Sequence, residues 1–385
     1  MAAERYLYKG VRPKTRILHI LPRFIDDVTI LYNLERIGGA ERYVVNLCRA
    51  QRGLRHDSSL MLFAEREDSL ELDGVPIVTW RGTRCIPGIN GNFNPLPTDL
   101  QRFASALINY EIVHVHNFAG DVSVVVSLIK KVMRKHYRLL VTDHGWNGLT
   151  LARVFKTSKP MMKFSGFDGL LPVTRASAST YVNCTKIFNP MYGGVDTQVF
   201  RRVNGERRSD ILFVGRLTPY KRVDSLIKAV SLLEDKPRLI VVGPTLDHEY
   251  RASLERLANE LKVDTRFLGH ISDQSLVSYY SSSTALALPS IDELFGLVLI
   301  EAMACELPVV ANKAGGVPEA VVDGKTGYLI RQGDIKQLTD RLRLLLTDRR
   351  EARRLGTAGR QRVLQEFTWK RVAERSLAAY KEVLQ

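Results

Sequence analysis

Two successive trains of short β-branched segments, each alternating with helix-length stretches, run along the 385 residues of this chain, and nothing else in the sequence constrains the fold as much. Parallel strands need a crossover of a dozen or more residues between them, and a helix is the usual crossover. In the first train the spacing predicts strands at 16–21, 58–64, 75–80, 112–116, 139–142 and 169–173, with helices at 39–52, 96–108 and 120–135. The second train starts at Asp210. Its strands are predicted at 211–214, 238–242, 265–268, 285–288 and 308–311, and its helices at 223–233, 248–261, 272–281 and 296–304. Further helical runs cover 334–346, 351–366 and 369–384.

Between the trains lies NPMYGGVDTQVFRRVNGERRSD, at 189–210, rich in Gly, Asn and charge and poor in periodic apolar residues. That composition marks a linker. No internal repeat of 20–50 residues is visible. The expected organisation is an N-terminal Rossmann-like domain over 1–190, a C-terminal one over 196–366, and a terminal helix at 369–385 that rejoins the first domain. In such doubly wound α/β sheets the ligand sits at the carboxyl ends of the strands. For two facing domains the expected site is therefore the cleft between them.

Composition narrows the classes. The chain is 45% hydrophobic and 25% charged, as soluble globular proteins are, and no apolar run reaches the ~18 residues of a membrane span. The first twenty residues hold basic side chains but no apolar core, so a secretory leader is not expected. Cys48, Cys85, Cys184 and Cys305 form no CxxC pair and no zinc-like Cys/His cluster, which suits a reducing cytoplasm without a structural metal. Net charge is +15. The excess is spread along the chain: 26 Lys+Arg against 17 Asp+Glu in residues 1–200, and 30 against 24 in the rest. Nucleic acid, an anionic membrane surface or a phosphorylated small molecule would each suit it. The densest cluster, SLIKKVMRKHYRLL at 127–140, reads as a helix with Lys130, Lys131, Arg134, Lys135 and Arg138 largely on one side. It is either a solvated face or a patch for an anionic membrane. No aromatics interleave with these charges and no nucleic-acid motif is present, which argues against a polynucleotide partner.

Two constellations carry chemistry. Gly215-Arg216-Leu217-Thr218-Pro219-Tyr220-Lys221-Arg222 follows the strand ILFV and precedes a helix start. Cations at that place suit a diphosphate, although, read alone, a surface salt bridge explains them as well. Asp292-Glu293-Leu294-Phe295-Gly296-Leu297 follows the strand ALAL. There Gly296 lets backbone approach a ligand and the first helical turn offers unpaired N–H groups. Glu293 could equally be a charge at a helix start. Glu301 resists so plain a reading, because its surroundings, LVLIEAMAC, are almost wholly apolar and a carboxylate there needs a partner.

Taken together these motifs resemble those of the family 4 glycosyltransferases, retaining enzymes of the GT-B fold. Glu293 and Glu301 match the family's E-x7-E pair, GRLTPYKR its phosphate site, and AGGVPEAVVDGKTGYLI its GG-x-PE…DG-x-TG segment. Gly38-Gly39-Ala40-Glu41-Arg42 resembles the loop after the first strand, and NPMYGGVDTQVF the linker, with Gly193 where Asn is usual. The resemblance covers the chain from about Arg16. It implies that Arg216 and Lys221 hold the diphosphate, Glu301 the ribose and Glu293 hexose hydroxyls. It implies contacts from the backbone of Phe295, Gly296 and Leu297 to sugar and phosphate, and from Gly39 to the diphosphate. Phe267-Leu268-Gly269-His270 resembles the turn that reads the base edge, which places Gly269 and His270 beside the base.

On the acceptor side, Thr142-Asp143-His144-Gly145 resembles the family's T-x-HG, so His144 is expected to touch the transferred sugar and support the reaction centre. His114 and His116 alternate along a strand end, and His116 is expected to line the acceptor side unless it is structural. Arg23–Arg36, long for its connection, is either an acceptor-recognition loop or a packing insertion.

The expected activity is retaining transfer of a hexosyl group from a nucleoside diphosphate sugar, UDP first and GDP next, to a glycan or lipid-linked hydroxyl. No D-x-D occurs, so no metal or other cofactor is expected. The expected location is the cytoplasm, with peripheral contact to its membrane if the basic helix docks there. A sugar-nucleotide epimerase on the same double fold, and a basic nucleic-acid-binding protein, are the alternatives. A dinucleotide dehydrogenase fits less well, since no GxGxxG follows the first strand.

Overall fold

Both trains of segments fold into parallel-rich sheets. The computed structural model describes residues 15–25, 39–83, 95–116, 121–133, 137–144, 166–178, 186–245 and 247–385. Its contacts part the chain into two units. One comprises Met1–Pro172, Tyr181–Met191 and Ala373–Gln385, the other Val173–Thr180 and Tyr192–Val372.

The first unit runs β1 (Arg16–Ile25), α1 (Gly39–Gly53), β2 (Asp57–Ala64), β3 (Asp68–Leu72), β4 (Val75–Thr83), β5 (Leu96–Pro97), α2 (Leu100–Leu107), β6 (Ile112–His116), α3 (Asp121–Val132), β7 (Arg138–Thr142) and β8 (Gly169–Leu170). Its sheet order is β3-β4-β2-β1-β6-β7-β8, with β5 paired to the end of β4 at Gly82 and Thr83. Only β3 and β5 run antiparallel to their neighbour. The chain winds outward from β1 through β2 and β4, then returns to place β6 on the other side of β1. The switch in winding therefore lies between β1 and β6, whose residues 17–20 and 112–115 pair in register.

The second unit runs α4 (Arg175–Ala178), β9 (Ile211–Val214), a 3-10 turn at Pro219–Lys221, α5 (Val223–Ser231), β10 (Leu239–Val242), α6 (His248–Glu260), β11 (Thr265–Gly269), α7 (Asp273–Ser282) and β12 (Ala285–Leu288). It continues with α8 (Leu297–Ala304), β13 (Val309–Asn312), α9 (Val317–Ala320), β14 (Tyr328–Ile330), α10 (Ile335–Thr347), α11 (Arg349–Glu366) and the first turn of α12 (Trp369–Leu384), whose residues from Ala373 on belong to the first unit. The order β11-β10-β9-β12-β13-β14 is parallel throughout. Here the winding switches between β9 and β12. Both strands are four residues long and buried at every position, so their side chains pack on both faces of the sheet. Burying Phe213 alone is worth about 1.5–3 kcal/mol. Aspartate and serine caps start α6, α7, α10 and α11: the side chains of Asp247, Ser272, Asp334 and Asp348 each accept a backbone N–H three residues on.

Three expectations are corrected. The helix predicted at 96–108 begins only at Leu100, because Leu96–Pro97 pairs with β4 and Asp99 caps the start by accepting from Arg102 N. The strands β3 and β14 were absent from the predicted set; β3 turns into β4 at Asp73-Gly74, both in the left-handed region with φ of 49° and 79°. The one-sided basic helix at 127–140 does not form. Its helix stops at Val132, Arg138 begins β7, and Lys130 is paired with Asp168 and donates to Gly166 O. Arg134 and Lys135 lie outside the described residues. So do most of Arg23–Arg36, together with Gly38, Gly145, Cys85 and Cys184.

Candidate active site

At the winding switch of the second unit, the carboxyl ends of β9 and β12 deliver the two predicted constellations to one place. After β9 the chain passes Gly215 and Arg216 and tightens into the 3-10 turn that carries Lys221. Arg222 follows in the left-handed region, φ 55°, and leads into α5. After β12 it passes Pro289 and Ser290 to Glu293. The two loops are tied by Ile291 N donating to Tyr220 O at 2.9 Å. Lys221 Nζ then reaches Glu293 Oε2 at 2.5 Å, with side chains only 12% and 14% exposed. Lys221 is therefore in a salt bridge, as its plain reading had it, but in a largely enclosed one, not at the surface. Arg216 is exposed, and its guanidinium donates to Tyr220 Oη at 3.2 Å.

The loop bearing Glu293 is held from behind. Gly315 sits in the left-handed region, φ 47°, and a Cβ there would lie 2.0 Å from Glu293 O. Gly316 N donates to Glu293 O at 3.2 Å. Asn312, buried at the end of β13, donates to Pro289 O at 2.6 Å. Sequence reasoning named the AGGVPE segment but gave it no task. Its glycines are the backing on which the Glu293 loop rests, and Glu319 accepts from the backbone N–H groups of Arg175 and Ala176.

Gly296, φ 84°, precedes α8 without any side-chain cap; Leu299 N donates to Gly296 O at 2.9 Å, and the start of the helix and the positive end of its dipole would face an anion without a capping side chain. Phe295 is buried and rings with Tyr192 and Phe367 at 5.7 and 5.3 Å, which leaves its backbone, not its side chain, to meet a ligand. Leu297 is half-buried. One turn further, Glu301 accepts from Tyr280 Oη at 3.0 Å. Burial, with Glu301 beside it, pushes the Tyr280 phenol well above its ordinary pKa, so it stays a donor to the carboxylate. Tyr280 is the partner that Glu301 required and that the sequence did not reveal. Gly269 ends β11 at φ 70° with open space around it, and His270 is exposed beside it. Gly193, at the linker position where Asn is usual, has no room for a side chain: a Cβ would lie 2.4 Å from Leu297 Cδ2.

In the first unit, His144 follows β7, and its Nε2 lies 2.9 Å from His116 Nδ1 with the rings stacked 5.2 Å apart. Tyr43 of α1 meets the His144 ring edge-on at 4.8 Å. Gly39 is the exposed first residue of α1, with no atom within 4 Å of a Cβ built there. Glu41, two residues on, is buried and paired with Arg23. His116 requires a correction. It is fully buried, with its other nitrogen 2.7 Å from His19 Nδ1, so it lines no open surface and stands behind His144. His114 is buried too, between Tyr380 Oη at 2.6 Å and Thr142 Oγ1 at 2.7 Å. Burial lowers His19 and His144 to about 4 and His114 and His116 well below the usual imidazole value, so the cluster is neutral at ordinary pH. The nitrogens of His19, His114 and His116 lie within 4.8 Å of one another. Each is already engaged in a hydrogen bond, an arrangement that fits a relay better than an ion.

Among the described residues no helix is long and apolar enough to cross a membrane. The family described as Glycosyltransferase Family 4 matches residues 37–199, and that described as Glycosyl transferases group 1 matches residues 196–362. A D-inositol 3-phosphate glycosyltransferase of Kribbella flavida is 31% identical, over 89% of this chain and 90% of its own length. Among solved structures, a sucrose-phosphate synthase from Thermosynechococcus elongatus has a TM-score of 0.73 at 21% identity, covering 96% of this chain and 99% of its own. HepE of Anabaena, solved in complex with UDP and glucose, has a TM-score of 0.72 at 18% identity, over 96% of this chain and 100% of its own. The fold is thus GT-B, two Rossmann-like units, and the chain belongs to the group 1, family 4 glycosyltransferases.

Proposed function

We propose that this glycosyltransferase moves a hexosyl group from a nucleoside diphosphate sugar, UDP first and GDP next, to an acceptor hydroxyl with retention at the anomeric carbon. The observation that carries the reading is the Lys221–Glu293 contact at the β9/β12 switch, flanked by the uncapped start of α8 and by Glu301. That is where a doubly wound sheet takes its nucleotide. Lys221, Arg216 and the α8 N-terminus supply positive charge for a departing β-phosphate, which is stabilisation of charge as it develops. Glu301, steadied by Tyr280, accepts from ribose hydroxyls, and Glu293 from those of the hexose. Gly269 and His270 sit at the base, and Gly39 approaches the diphosphate. His144 meets the transferred sugar. Retention follows if the acceptor enters on the face the phosphate leaves, with that phosphate taking the acceptor's proton. We propose no metal, because the cations just named do the work of one. HepE, a structural relative, is named as binding UDP and glucose, which supports a UDP-sugar. For the acceptor we propose a glycan or a lipid-linked sugar. A relative named for D-inositol 3-phosphate adds small phosphorylated polyols to the substrates worth assaying.

The test is the shift in melting temperature with UDP, GDP, ADP and their hexoses, with and without EDTA, for the native chain and Glu301→Ala. A ligand present at 100 times its Kd stabilises by about 2.7 kcal/mol. The reading expects a shift with one base class that survives EDTA and disappears in Glu301→Ala. No shift with any nucleotide would sink the donor site, and a shift abolished by EDTA would sink its independence from metal.

A further inference from the structure

Three buried histidines lie behind or beside His144, and the transfer chemistry above uses none of them. We infer that Gln51 is a positioning residue that fixes the tautomer of His144, acting through His19 and His116, so that the ring offers Nδ1 as a hydrogen-bond acceptor. This rests on the reading of His144 as the group that meets the transferred sugar, and it adds what that ring can do there: take a hydrogen bond from a sugar or acceptor hydroxyl, not give one.

The assignment follows from counting protons inward from a group that can only accept. Ser376 Oγ lies 2.8 Å from the carbonyl of Ala373, so its single proton goes there. Its lone pair must then receive from Gln51, whose amide nitrogen is 2.9 Å away. That turns Gln51 Oε1 toward Ser58 Oγ at 2.7 Å and His19 Nε2 at 2.8 Å. An amide oxygen accepts only, so the His19 proton sits on Nε2. In a neutral ring Nδ1 is then a lone pair, and it receives from His116 Nε2 at 2.7 Å. His116 Nδ1 in turn receives from His144 Nε2 at 2.9 Å. One proton per ring leaves the lone pair of His144 on Nδ1. Burial keeps these rings neutral, which a one-proton relay requires.

His114 obeys the same logic on a branch of its own. Thr142 Oγ1 donates to Leu171 O at 2.8 Å, so it accepts from His114 Nε2, and Tyr380 Oη donates to His114 Nδ1. This branch does not reach His144. The relay therefore has one direction, set by α1 through Gln51 and by α12 through Ser376. Without an acceptor at position 51 it would reverse. The forward order would bury an N–H with no partner, the reverse order only a lone pair, and orphaned N–H groups are the rarer.

The experiment is two-bond 1H–15N correlation on the full chain with 15N-labelled histidine, assigned by single histidine replacements, alongside steady-state kinetics. The wild type is expected to show His144 protonated on Nε2. A wild-type His144 protonated on Nδ1 overturns the inference whatever the activity of the enzyme. Gln51→Met is expected to move the proton to Nδ1 and to lower kcat by roughly 10- to 100-fold with the donor KM held. That is the scale of removing the partner behind a ligating histidine. Ser376→Ala, which frees the amide to turn, is expected to do the same more weakly, and it decides the matter if Gln51→Met does not fold. A tautomer that moves while kcat holds would show that Gln51 sets the ring's protonation but that the transfer does not use Nδ1 as an acceptor, which overturns the positioning role. Native activity in His144→Ala would remove the underlying role of His144, a different failure from a wrong tautomer.

Discussion

Lys221 shows how burial separates an ordinary surface ion pair from one placed to act on an anion. On the surface, a Lys–Glu pair is worth at most about 1 kcal/mol. Here both side chains are nearly enclosed at the ends of β9 and β12, where low local dielectric magnifies what the ammonium does for an anion. Lys221→Met is expected to lower kcat by about 10²–10³-fold, the loss found when one donor to developing charge is removed, and to lower the melting temperature too, because Glu293 loses its partner in a largely enclosed pair. A variant with full kcat would place Lys221 outside the reaction. The same site turns on a residue with no side chain at all. A methyl at position 315 would lie 2.0 Å from Glu293 O in a backbone region that favours glycine. Gly315→Ala is expected to cost about 1–3 kcal/mol and to push Glu293 out of place. Loss of donor binding beyond the loss of stability, measured by calorimetry on the folded fraction, is the check. Glu293, Glu301, Arg216 and Lys221 could be singled out in the sequence as candidates because the chemistry proposed for them is carried by side-chain type and spacing. Tyr280, Gly315 and Gln51 could not, because each acts through a neighbour distant along the chain.

At the scale of elements, α8 is the piece on which the proposed donor site depends. Its eight residues are mostly buried, its first residue follows a left-handed glycine, and no side chain caps it. Gly296→Ala would place a Cβ 2.7 Å from Leu299 Cδ1 at a φ that costs an L-residue about 1–2 kcal/mol. The expected outcome is a loss of unfolding free energy of that size, read as a lower urea midpoint at unchanged slope, with nucleotide affinity reduced as the first turn shifts. An unchanged midpoint would show the loop relaxing freely. Most elements were readable, since continuous apolar runs such as ILFV and ALAL can be little else between helical stretches. The failures have local causes. Pro97 pairs at a sheet edge just before a capped helix, the Asp73-Gly74 turn makes a hairpin out of a polar segment, and Arg138 belongs to the next strand despite the run of cations before it.

For the whole molecule, the two units should answer differently to acid. The buried histidines belong to the first unit, whereas His248 and His270 of the second are exposed. His19 and His144 titrate near 4 when folded and near 6.5 when not. Between those values the unfolded chain holds more protons, so the stability contributed by the neutral rings is complete above about 6.5 and drains as pH falls toward about 4. Each ring contributes a slope of up to about 1.4 kcal/mol per pH unit. Urea titration at pH 7 and pH 5 is expected to show the first unit unfolding earlier at the lower pH and the second barely moved; equal shifts in both would contradict the assignment.

The relay that steadies His144 also has a place in time. Ser376 and Tyr380 lie on α12, in the stretch from Ala373 that completes the first unit, yet they are translated after every strand of both sheets. At about 5–20 residues per second, the nascent β1, β6 and β7 wait many seconds for the serine that orients Gln51. The first unit's strands are thus made long before the serine that completes their hydrogen-bond relay, and the proposed protonation pattern can be set only when α12 docks.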